Sequence, residues 1–427
     1  MNAEIISVGT ELLLGNIVNT DARDLAIMLS ELGINVYWQT VVGDNTERLK
    51  AALGIARDRA DLIITTGGLG PTYDDLTKQT VAEFFGKALY FDRQAEAELK
   101  EFFCTGSGRS MTENNLQQCW LPEGCTPFYN TCGTAPGCGF QTEDGKTVLI
   151  LPGPPKEMNA MMRHDGIGYL RGLSTERIWS HNIMTFGMGE SAIEALLRDR
   201  MNALTNPTLA PYAKEGEVRL RVTARAADEA EAEALMAPVI AEVKAALGDI
   251  VYGVDVPSLE ALAFDLLKQR GATVATAESC TGGLVSKRIT DLPGASKIFR
   301  GGVTVYTDGA KHILLGVDRK LLDDCGAVSQ EVAFELAEKM LQTLGADYGI
   351  GVTGVAGPET DGVHPVGTVF VALADAEGTF VRALKLGERS DRSRIRTLAA
   401  NHAFDMLRRR LLGLPVVGEG EGGSRLR

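Results

Sequence analysis

The stretch Ala277-Glu278-Ser279-Cys280-Thr281-Gly282-Gly283 decides how the C-terminal third of this chain folds. The β-branched run 272–276 before it predicts a buried strand, and residues 284–289 after it predict a helix. A tight turn with two glycines between them aims backbone N–H groups at one point, where the helix N-terminus adds partial positive charge. Ser279 is therefore either a nucleophile beside an oxyanion site or, like Thr281, merely the cap of the helix.

Tyr306 and Lys311 are the residues that favour a nucleophilic Ser279. Residues 303–305 predict a strand and Asp308 is expected to cap the next helix, so both side chains can reach one cleft. A lysine that is partly desolvated beside a serine loses its proton more easily and can serve as the base. Tyrosine can donate or relay a proton. Cys280 is a rival nucleophile, although no histidine lies near it in sequence to generate a thiolate.

Two further segments complete the C-terminal pattern. Residues 349–353 predict a strand that ends in the glycine-rich turn 354–358, and 365–373 predict a central strand with a hairpin partner at 379–386. Four arginines then lead into a long helix, and positive charge at a helix start opposes the macrodipole. A phosphate or carboxylate ligand explains an arginine there better, and Arg392 is the preferred candidate.

Composition and charge narrow the class of protein. The chain has 427 residues, which suggests about three domains, with 44% hydrophobic and 23% charged residues, as in an ordinary globular protein. The absence of a long apolar stretch or signal-peptide pattern predicts a cytoplasmic protein without a membrane span. The net charge of −13 argues against a nucleic-acid partner. The seven cysteines lack zinc-type spacing and are expected to be reduced, mostly buried thiols.

The N-terminal part alternates strands with helices. We predict strands at 5–8, 36–42 and 61–66 and helices at 21–32 and 47–57. This alternation indicates a doubly wound parallel sheet, with functional loops at the carboxyl ends of its strands.

Two of those loops carry a nucleotide-site pattern. Gly9-Thr10-Glu11 ends the first strand, and 67–77 (GGLGPTYDDLT) follows the third. The glycines allow backbone N–H groups to approach a phosphate closely. Asp74 and Asp75 are expected to open the next helix, where they either suit its positive end or hold a divalent cation. The predicted nucleotide-site residues are Gly9, Thr10, Glu11, Gly67, Gly68, Gly70, Thr72, Asp74 and Asp75.

The middle part predicts a small α+β module. Strands are expected at 177–186 and 218–226, and helices at 191–200 and 228–247. Between Gly172 and Tyr252 there are 8 Lys/Arg and 12 Asp/Glu residues, a net charge of −4, and no GxxG loop of the kind that binds RNA. We therefore expect a spacer or oligomerisation element.

The motifs together resemble the CinA (competence/damage-inducible protein A) family. Residues 67–77, 130–137 and 151–158 look like the signature of its molybdopterin-binding domain, and the middle module resembles its KH-like domain. Glu278–Gly283, Tyr306 with Lys311, 353–358, 365–368 and Asp391-Arg392 closely resemble its C-terminal domain. The resemblance supports domains at 1–172, 173–254 and 255–414. The glycine-rich end of the chain lies outside it, and we expect a flexible tail at 415–427.

The same resemblance implies a nicotinamide-nucleotide deamidase. It suggests that nicotinamide mononucleotide (NMN) is hydrolysed without a cofactor, with Ser279 as nucleophile and Lys311 and Tyr306 assisting. The N–H groups of Thr281 and Gly282 are expected to hold the oxyanion. The predicted substrate-binding residues are Thr281, Gly282, Thr353, Gly354, Gly357 and Arg392.

Two alternatives remain open at this point. The N-terminal domain resembles, in some family members, a metal-dependent ADP-ribose pyrophosphatase, with a divalent cation at Asp74 and Asp75. Both activities can coexist on one chain. A non-catalytic role in DNA uptake or repair is suggested by the family's name alone. A homodimer is the expected assembly.

Overall fold

The structure is a computed structural model that describes residues 1–105, 111–173, 177–417 and 423–426. It divides into two compact units, one formed by Met1–Trp179 with Ala224–Glu233 and the other by Ser180–Thr223 with Ala234–Arg427. None of the described helices is both long enough and apolar enough to cross a lipid bilayer.

The N-terminal part is a six-stranded sheet with helices on both faces. Its elements are β1 (Asn2–Val8), α1 (Thr10–Leu13), α2 (Thr20–Glu31), β2 (Asn35–Val42), α3 (Thr46–Arg59), β3 (Leu62–Thr66), α4 (Thr77–Phe84), β4 (Leu89–Phe91), α5 (Arg93–Thr105), a 3₁₀ helix (Glu113–Cys119), β5 (Trp120–Pro122), β6 (Thr126–Phe128), β7 (Gly137–Gln141), β8 (Thr147–Leu151), α6 (Pro155–Met161), a π-helical turn (Met162–Gly166) and α7 (Ile167–Leu173). The strand order is β2-β1-β3-β8-β7-β6, and β4 and β5 form a separate pair.

The predicted doubly wound sheet is confirmed. Strands β2, β1, β3 and β8 are parallel, while β7 and β6 add an antiparallel edge. Side chains alternate between the two faces: Ile5 and Ile64 pack with α2 and α6, whereas Ile6 and Ile63 pack with α3 and α4. Because both faces are covered, β1 and β3 are buried along almost their whole length.

The middle module is a four-stranded sheet in the order β10-β11-β9-β12. Its elements are β9 (Arg177–Phe186), α8 (Glu190–Ala203), β10 (Thr208–Lys214), β11 (Glu217–Ala226), α9 (Glu229–Leu247), a 3₁₀ turn (Gly248–Ile250) and β12 (Val251–Val254). The sequence pattern predicted β9, β11 and both helices but missed β10 and β12. Strand β10 pairs antiparallel with β11 through a turn at Glu215-Gly216, and its alternation is interrupted by Pro211.

The C-terminal domain is a second mixed sheet in the order β14-β13-β15-β16-β17-β18. Its elements are α10 (Leu259–Arg270), β13 (Val274–Glu278), α11 (Leu284–Thr290), a 3₁₀ turn (Ala295–Lys297), β14 (Phe299–Thr304), α12 (Asp308–Leu315), α13 (Arg319–Cys325), α14 (Gln330–Leu344), β15 (Tyr348–Gly354), β16 (Thr368–Asp375), β17 (Gly378–Lys385), α15 (Arg392–Leu412) and β18 (Gly423–Leu426). Strand β13 lies in the centre of a parallel group with β14 and β15, so the loops that follow these three strands share one edge.

One segment differs from the sequence-based expectation. Residues 415–427 were predicted to be a flexible tail, but Gly423–Leu426 pair antiparallel with residues 379–382 of β17. The physical reason is that β17 would otherwise end the sheet with unpaired backbone groups, which a further strand satisfies. Residues 418–422 and 427 lie outside the described residues.

Candidate functional site

Ser279 directly follows β13 and is held by its backbone on both sides. Its N–H donates to the carbonyl of Val352 on β15 at 2.9 Å, and its carbonyl accepts from the N–H of Gly282 at 3.0 Å. The tight turn needs positive φ at Gly282 (59°) and Gly283 (89°), which glycine adopts without strain. Ser279 is 7% exposed, so its side chain is largely shielded from water.

Helix α11 is capped by Glu278 and not by Ser279 or Thr281. The buried carboxylate of Glu278 accepts hydrogen bonds from the N–H groups of Val285 (3.0 Å) and Ser286 (2.8 Å). The capping alternative for Ser279 is therefore not needed, because a neighbouring side chain satisfies the helix start. Sequence reasoning missed this role; the signal was an acidic residue at the strand end, facing the positive end of the helix.

Lys311 reaches Ser279 from α12. Its ammonium nitrogen lies 3.4 Å from the Ser279 hydroxyl oxygen, and the lysine is 2% exposed. Burial lowers the pKa of Lys311, whereas the nearby carboxylate of Asp308 acts in the opposite direction. The expected cap of α12 was wrong by one residue: the hydroxyl of Thr307 accepts from the Ala310 N–H, because Asp308 is already inside the helix.

Arg392 connects two loops of the site. It begins α15 and donates one hydrogen bond to the carbonyl of Gly357, at 2.6 Å, and another to the Tyr306 hydroxyl. The Tyr306 side chain is 55% exposed, so it lies at the rim of the site. The structure thus brings Tyr306 and Arg392 together and leaves other guanidinium N–H groups of Arg392 for a ligand.

Three predicted binding residues have structural roles in this conformation. The Thr353 hydroxyl donates to the carbonyl of Ala327 at 2.7 Å, and Thr353 is fully buried. Gly354 lies against β16, where an added Cβ would come within 2.7 Å of the Thr368 carbonyl oxygen. Gly282 was expected to donate to an oxyanion, but its N–H donates to Ser279 and closes the turn.

With the Gly282 N–H used within the turn, Cys280 and Thr281 carry the N–H groups that remain as candidate oxyanion donors. The N–H groups of Cys280 and Thr281 donate no hydrogen bond to another backbone group among the described residues. The Thr281 hydroxyl is buried and also lacks a hydrogen-bond partner within the described part of the chain. In a turn that places a serine first, these two N–H groups are the donors closest to it in sequence.

Cys280 does not have the environment of a reactive thiol. It is 4% exposed, and burial raises its pKa to about 12. A thiol attacks as the thiolate, and this pKa leaves almost none at neutral pH. Ser279 is therefore the better nucleophile of the two.

A second candidate site lies in the N-terminal domain, in a cavity of about 570 Å³ at the carboxyl ends of β1 and β3. The structure brings the two predicted loops together there. The predicted residues that line the cavity are Gly9, Glu11, Gly67, Gly68, Gly70, Thr72, Asp74 and Asp75. Thr10 lies beside it and donates from its N–H and hydroxyl to the Asp44 carboxylate, at 2.9 and 2.8 Å.

The glycine-rich loop owes its shape to close approaches. Gly67 and Gly68 both have positive φ, and a Cβ on Gly67 would come within 2.1 Å of the Val8 carbonyl oxygen. The 3₁₀ helix Glu113–Cys119 supports the loop from outside, where the Gln117 amide donates to the Gly70 and Thr72 carbonyls at 3.1 and 2.9 Å. The loop is therefore held in one conformation before any ligand binds.

Asp74 and Asp75 lie in the loop and do not open the helix, which corrects the expectation. Helix α4 begins at Thr77, and one carboxylate oxygen of Asp75 accepts from the Thr72 N–H at 2.9 Å. Asp74 is exposed. No group of three metal-ligating side chains was found within the described ranges. Magnesium is commonly held by one or two carboxylates together with substrate phosphates, and the residues here fit that arrangement.

Asp21, which sequence reasoning missed, lines this cavity and is 7% exposed. Desolvation raises its pKa to about 6. The Thr66 hydroxyl lies 2.8 Å from one Asp21 carboxylate oxygen and 2.9 Å from the Pro152 carbonyl, but it has one proton to donate. A protonated Asp21 satisfies both contacts, because it donates to Thr66 while Thr66 donates to Pro152. The number of protons available for these two hydrogen bonds therefore favours the neutral carboxyl of Asp21.

Comparisons with known proteins agree with this division of the chain. Family models match residues 4–171 (probable molybdopterin binding domain), 180–253 (damage-inducible protein CinA KH domain) and 257–411 (CinA C-terminal domain). The chain is 47% identical to a putative competence-damage inducible protein of Acetivibrio thermocellus, across 97% of this chain and all of that one. It is 46% identical to a CinA-like protein of Kosmotoga olearia, with the same coverage. A crystal structure of "the protein CinA with unknown function" from Thermoplasma acidophilum is 37% identical, covering 38% of this chain and 95% of that one, with a TM-score of 0.35.

Proposed function

Since this chain belongs to the CinA family, we propose that its C-terminal domain is a nicotinamide-nucleotide amidohydrolase with Ser279 as the nucleophile. The observation that supports the proposal is the 3.4 Å distance between the Ser279 hydroxyl and the Lys311 nitrogen, two groups whose side chains are both buried. A serine and a lysine in this arrangement form a nucleophile and its general base.

The reaction begins with a proton transfer. Lys311 in its neutral form takes the hydroxyl proton of Ser279, and the serine oxygen forms a bond to the carboxamide carbon of NMN. The negative charge moves to the carboxamide oxygen, where the N–H groups of Cys280 and Thr281 stabilise it. Burial favours neutral Lys311, which is the form that can accept the proton.

The second half of the reaction releases both products. The carbon–nitrogen bond breaks, the proton returns to nitrogen from Lys311 or through Tyr306, and ammonia leaves. Lys311 then takes a proton from water as the water oxygen attacks the serine ester. The ester bond to the Ser279 oxygen breaks, Lys311 returns the proton to that oxygen, and nicotinic acid mononucleotide leaves. No step in this scheme requires a metal ion. The remaining N–H groups of Arg392 and the 354–357 turn are the proposed contacts for the phosphate or ribose.

Ammonia release from NMN tests this proposal directly. We expect purified protein to release ammonia and nicotinic acid mononucleotide equally well with and without a chelator. Ser279→Ala should lower turnover by about 10³-fold or more, as loss of a nucleophile does. An alanine variant with near-normal deamidation would refute the assignment. Thr290→Ala, on the exposed side of α11, is the matched control and should retain activity.

We also propose a second activity, the hydrolysis of a nucleotide diphosphate such as ADP-ribose in the N-terminal cavity. The supporting observation is one cavity lined by a rigid glycine-rich loop and by the carboxylates of Asp74 and Asp75. Glycine N–H groups suit phosphate oxygens, and a divalent cation, when bound, would neutralise charge on the phosphates.

Chelator sensitivity separates the two activities. We expect the protein to form AMP and ribose 5-phosphate from ADP-ribose. A chelator should abolish this hydrolysis and Asp75→Asn should reduce its rate, while the deamidation of NMN is unaffected. Ser279→Ala should leave this second activity unchanged. Release of AMP that persists with chelator, or that disappears in Ser279→Ala, would contradict the assignment to the N-terminal cavity.

A further inference from the structure

Arg396 contacts the turn that carries Ser279. Its guanidinium donates two hydrogen bonds to the carbonyl oxygen of Thr281, from Nε at 3.1 Å and from Nη2 at 2.7 Å. The residue is half-buried and lies one helical turn after Arg392 on α15. No other residue outside the segment 279–284 is recorded as donating to that carbonyl within the described chain.

The contact fixes a peptide plane next to the nucleophile. The Thr281 carbonyl and the Gly282 N–H belong to the same peptide group, so they point in opposite directions. While Arg396 holds the carbonyl, the Gly282 N–H donates to the Ser279 carbonyl at 3.0 Å. Positive φ at Gly282 gives the turn little intrinsic preference for one conformation, because glycine has many accessible states. The arginine therefore adds a side-chain restraint to a turn that is otherwise held by its backbone hydrogen bonds.

The position of Arg396 has an electrostatic cost, because like charges four residues apart on a helix repel each other. Arg392 and Arg396 are four residues apart and share one helix face. Between them they contact the loops after β13, β14 and β15, at Thr281, Tyr306 and Gly357.

We propose that Arg396 is a positioning residue that holds the Cys280–Gly282 turn in the conformation in which Ser279 reacts. This inference rests on the proposed function of Ser279 as a nucleophile. Without the two guanidinium hydrogen bonds, the Leu284 N–H, at 3.3 Å, is the donor that remains to the Thr281 carbonyl among the described residues, and the weaker restraint lets the Cys280 and Thr281 N–H groups move away from the developing oxyanion. A misplacement of about 1 Å costs about 100-fold in rate, so Arg396→Ala should lower kcat by about 10- to 100-fold with little change in KM.

The test compares Arg396→Ala and Arg396→Lys with Arg394→Ala. Arg394 is exposed on the same helix and its side chain has no recorded contact with the turn, so it controls for charge and helix content. Two rates are measured for each variant: deamidation of NMN, and covalent labelling of Ser279 by a fluorophosphonate, followed by intact mass. Labelling needs the same nucleophile and oxyanion donors but no nucleotide.

We expect slow labelling and a low kcat in Arg396→Ala. Added guanidinium, at about 100 mM, should partly restore both rates in that variant. Arg394→Ala should have normal rates. Arg396→Lys should lie between, since an ammonium cannot donate from two sites to one carbonyl in the same geometry. A normal labelling rate in Arg396→Ala would overturn the proposal. So would a loss of labelling in Arg396→Ala that guanidinium does not restore, if Arg396→Lys loses labelling to the same extent. If the wild-type enzyme is labelled but does not hydrolyse NMN, the proposed substrate is wrong while the positioning role is still decided by the labelling rates.

Discussion

The carboxylate of Asp308 lies 3.8 Å from the nitrogen of Lys311, the group that itself contacts Ser279. Burial lowers the pKa of Lys311, and the negative charge of Asp308 opposes that effect. Asp308→Asn removes a negative charge that stabilises the ammonium form, so the pKa of Lys311 should fall further. Because the base is active when neutral, the pH at which kcat/KM falls on acidification should be lower in this variant than in the wild type.

The measurement is the acid limb of the pH profile of kcat/KM for NMN. We expect the limb to move to lower pH in Asp308→Asn, with a plateau close to the wild-type value. Asp318→Asn is unsuitable as a control because its side chain caps α13, whereas Asp324→Asn lies on an exposed surface of α13 and is suitable. An unchanged limb, or one that moves to higher pH, would mean that Lys311 is not the base.

Removal of the Cys280 thiol should have little effect on turnover. Burial raises the pKa of this thiol to about 12, so it is protonated and unreactive near neutral pH. Cys280→Ala should therefore retain kcat within about threefold, and iodoacetamide should not inactivate the wild-type enzyme at pH 7. Loss of activity in Cys280→Ala with the fold intact by circular dichroism would instead assign the nucleophile to the thiol.

Arg392 is expected to serve both the substrate phosphate and Tyr306. Two of its N–H groups contact Gly357 and Tyr306, and three remain for a ligand. In Arg392→Met we expect kcat to fall for both NMN and nicotinamide riboside, because the Tyr306 contact does not depend on a phosphate. The KM should rise for NMN alone. A change confined to the KM of NMN would limit Arg392 to phosphate binding, and no change in either substrate would exclude it from the site.

The strands and turns that were predicted correctly are those whose signal lies in adjacent residues. Runs such as 61–66 and 349–353 predicted strands because β-branched and apolar residues mark a buried sheet wherever they occur. The turn at Ser279 was predicted because a strand, two glycines and a helix follow one another directly. The pairing of Ser279 with Lys311 was predicted from their positions at a strand end and a helix start, and from the resemblance to the CinA C-terminal domain.

The missed features are of two kinds: local contacts that have more than one interpretation, and cavity residues that come from distant segments. Glu278 caps α11, and the Gly282 N–H is used within the turn, but no local pattern distinguishes a capping carboxylate from a catalytic one. Asp21 and Asp44 reach the N-terminal cavity from the start of α2 and the loop after β2. Asp44 follows a parallel strand at its carboxyl end, so the rule that located Gly9 and Gly67 could also have found it.

Asp21 gives a prediction about stability and pH. Its pKa is about 6 in the folded chain and 3.8 ordinarily, chiefly through desolvation. Below pH 3.8 the carboxyl is protonated in both states, and above pH 6 the folded state bears the full cost of a buried carboxylate, about 3 kcal/mol as an upper limit. The stability that Asp21 supports is therefore lost as pH rises from about 4 to 6.

Asp21→Asn tests this sign because asparagine has nearly the same shape and no charge. We expect the variant to be more stable than the wild type at pH 8, by at most about 3 kcal/mol, and equally stable near pH 4. Thermal unfolding at both pH values measures the difference. Asp24→Asn is the control on the same helix, since its pKa is lowered and its removal should destabilise the fold at pH 8. A variant that is less stable than the wild type at pH 8 would show that Asp21 is charged and paired.

Asp405 is the centre of a buried ion network in the C-terminal domain. Its carboxylate accepts from Arg382 at 2.9 Å, from Arg408 at 2.6 and 3.0 Å and from Arg409 at 3.1 Å. Burial alone would raise its pKa, but the three guanidinium groups hold the pKa of Asp405 below its ordinary value. Asp405→Asn leaves three cations, two of them buried, without their anion, and should destabilise the domain by about 3–5 kcal/mol at pH 7.

The Asp405 prediction has an internal control and a defined pH dependence. Asp249 also faces Arg409, at 3.9 Å, but its side chain is 52% exposed, so Asp249→Asn should cost less than about 1 kcal/mol. Because the pKa of Asp405 is depressed, its contribution is present above the ordinary carboxyl pKa of about 4 and is lost only as pH falls through the lower folded value. The gap between Asp405→Asn and the wild type in urea unfolding should therefore be constant from pH 6 to 8. Equal effects of the two variants would mean that water screens the network, and Arg382 and Arg408 would then not depend on Asp405 to remain buried.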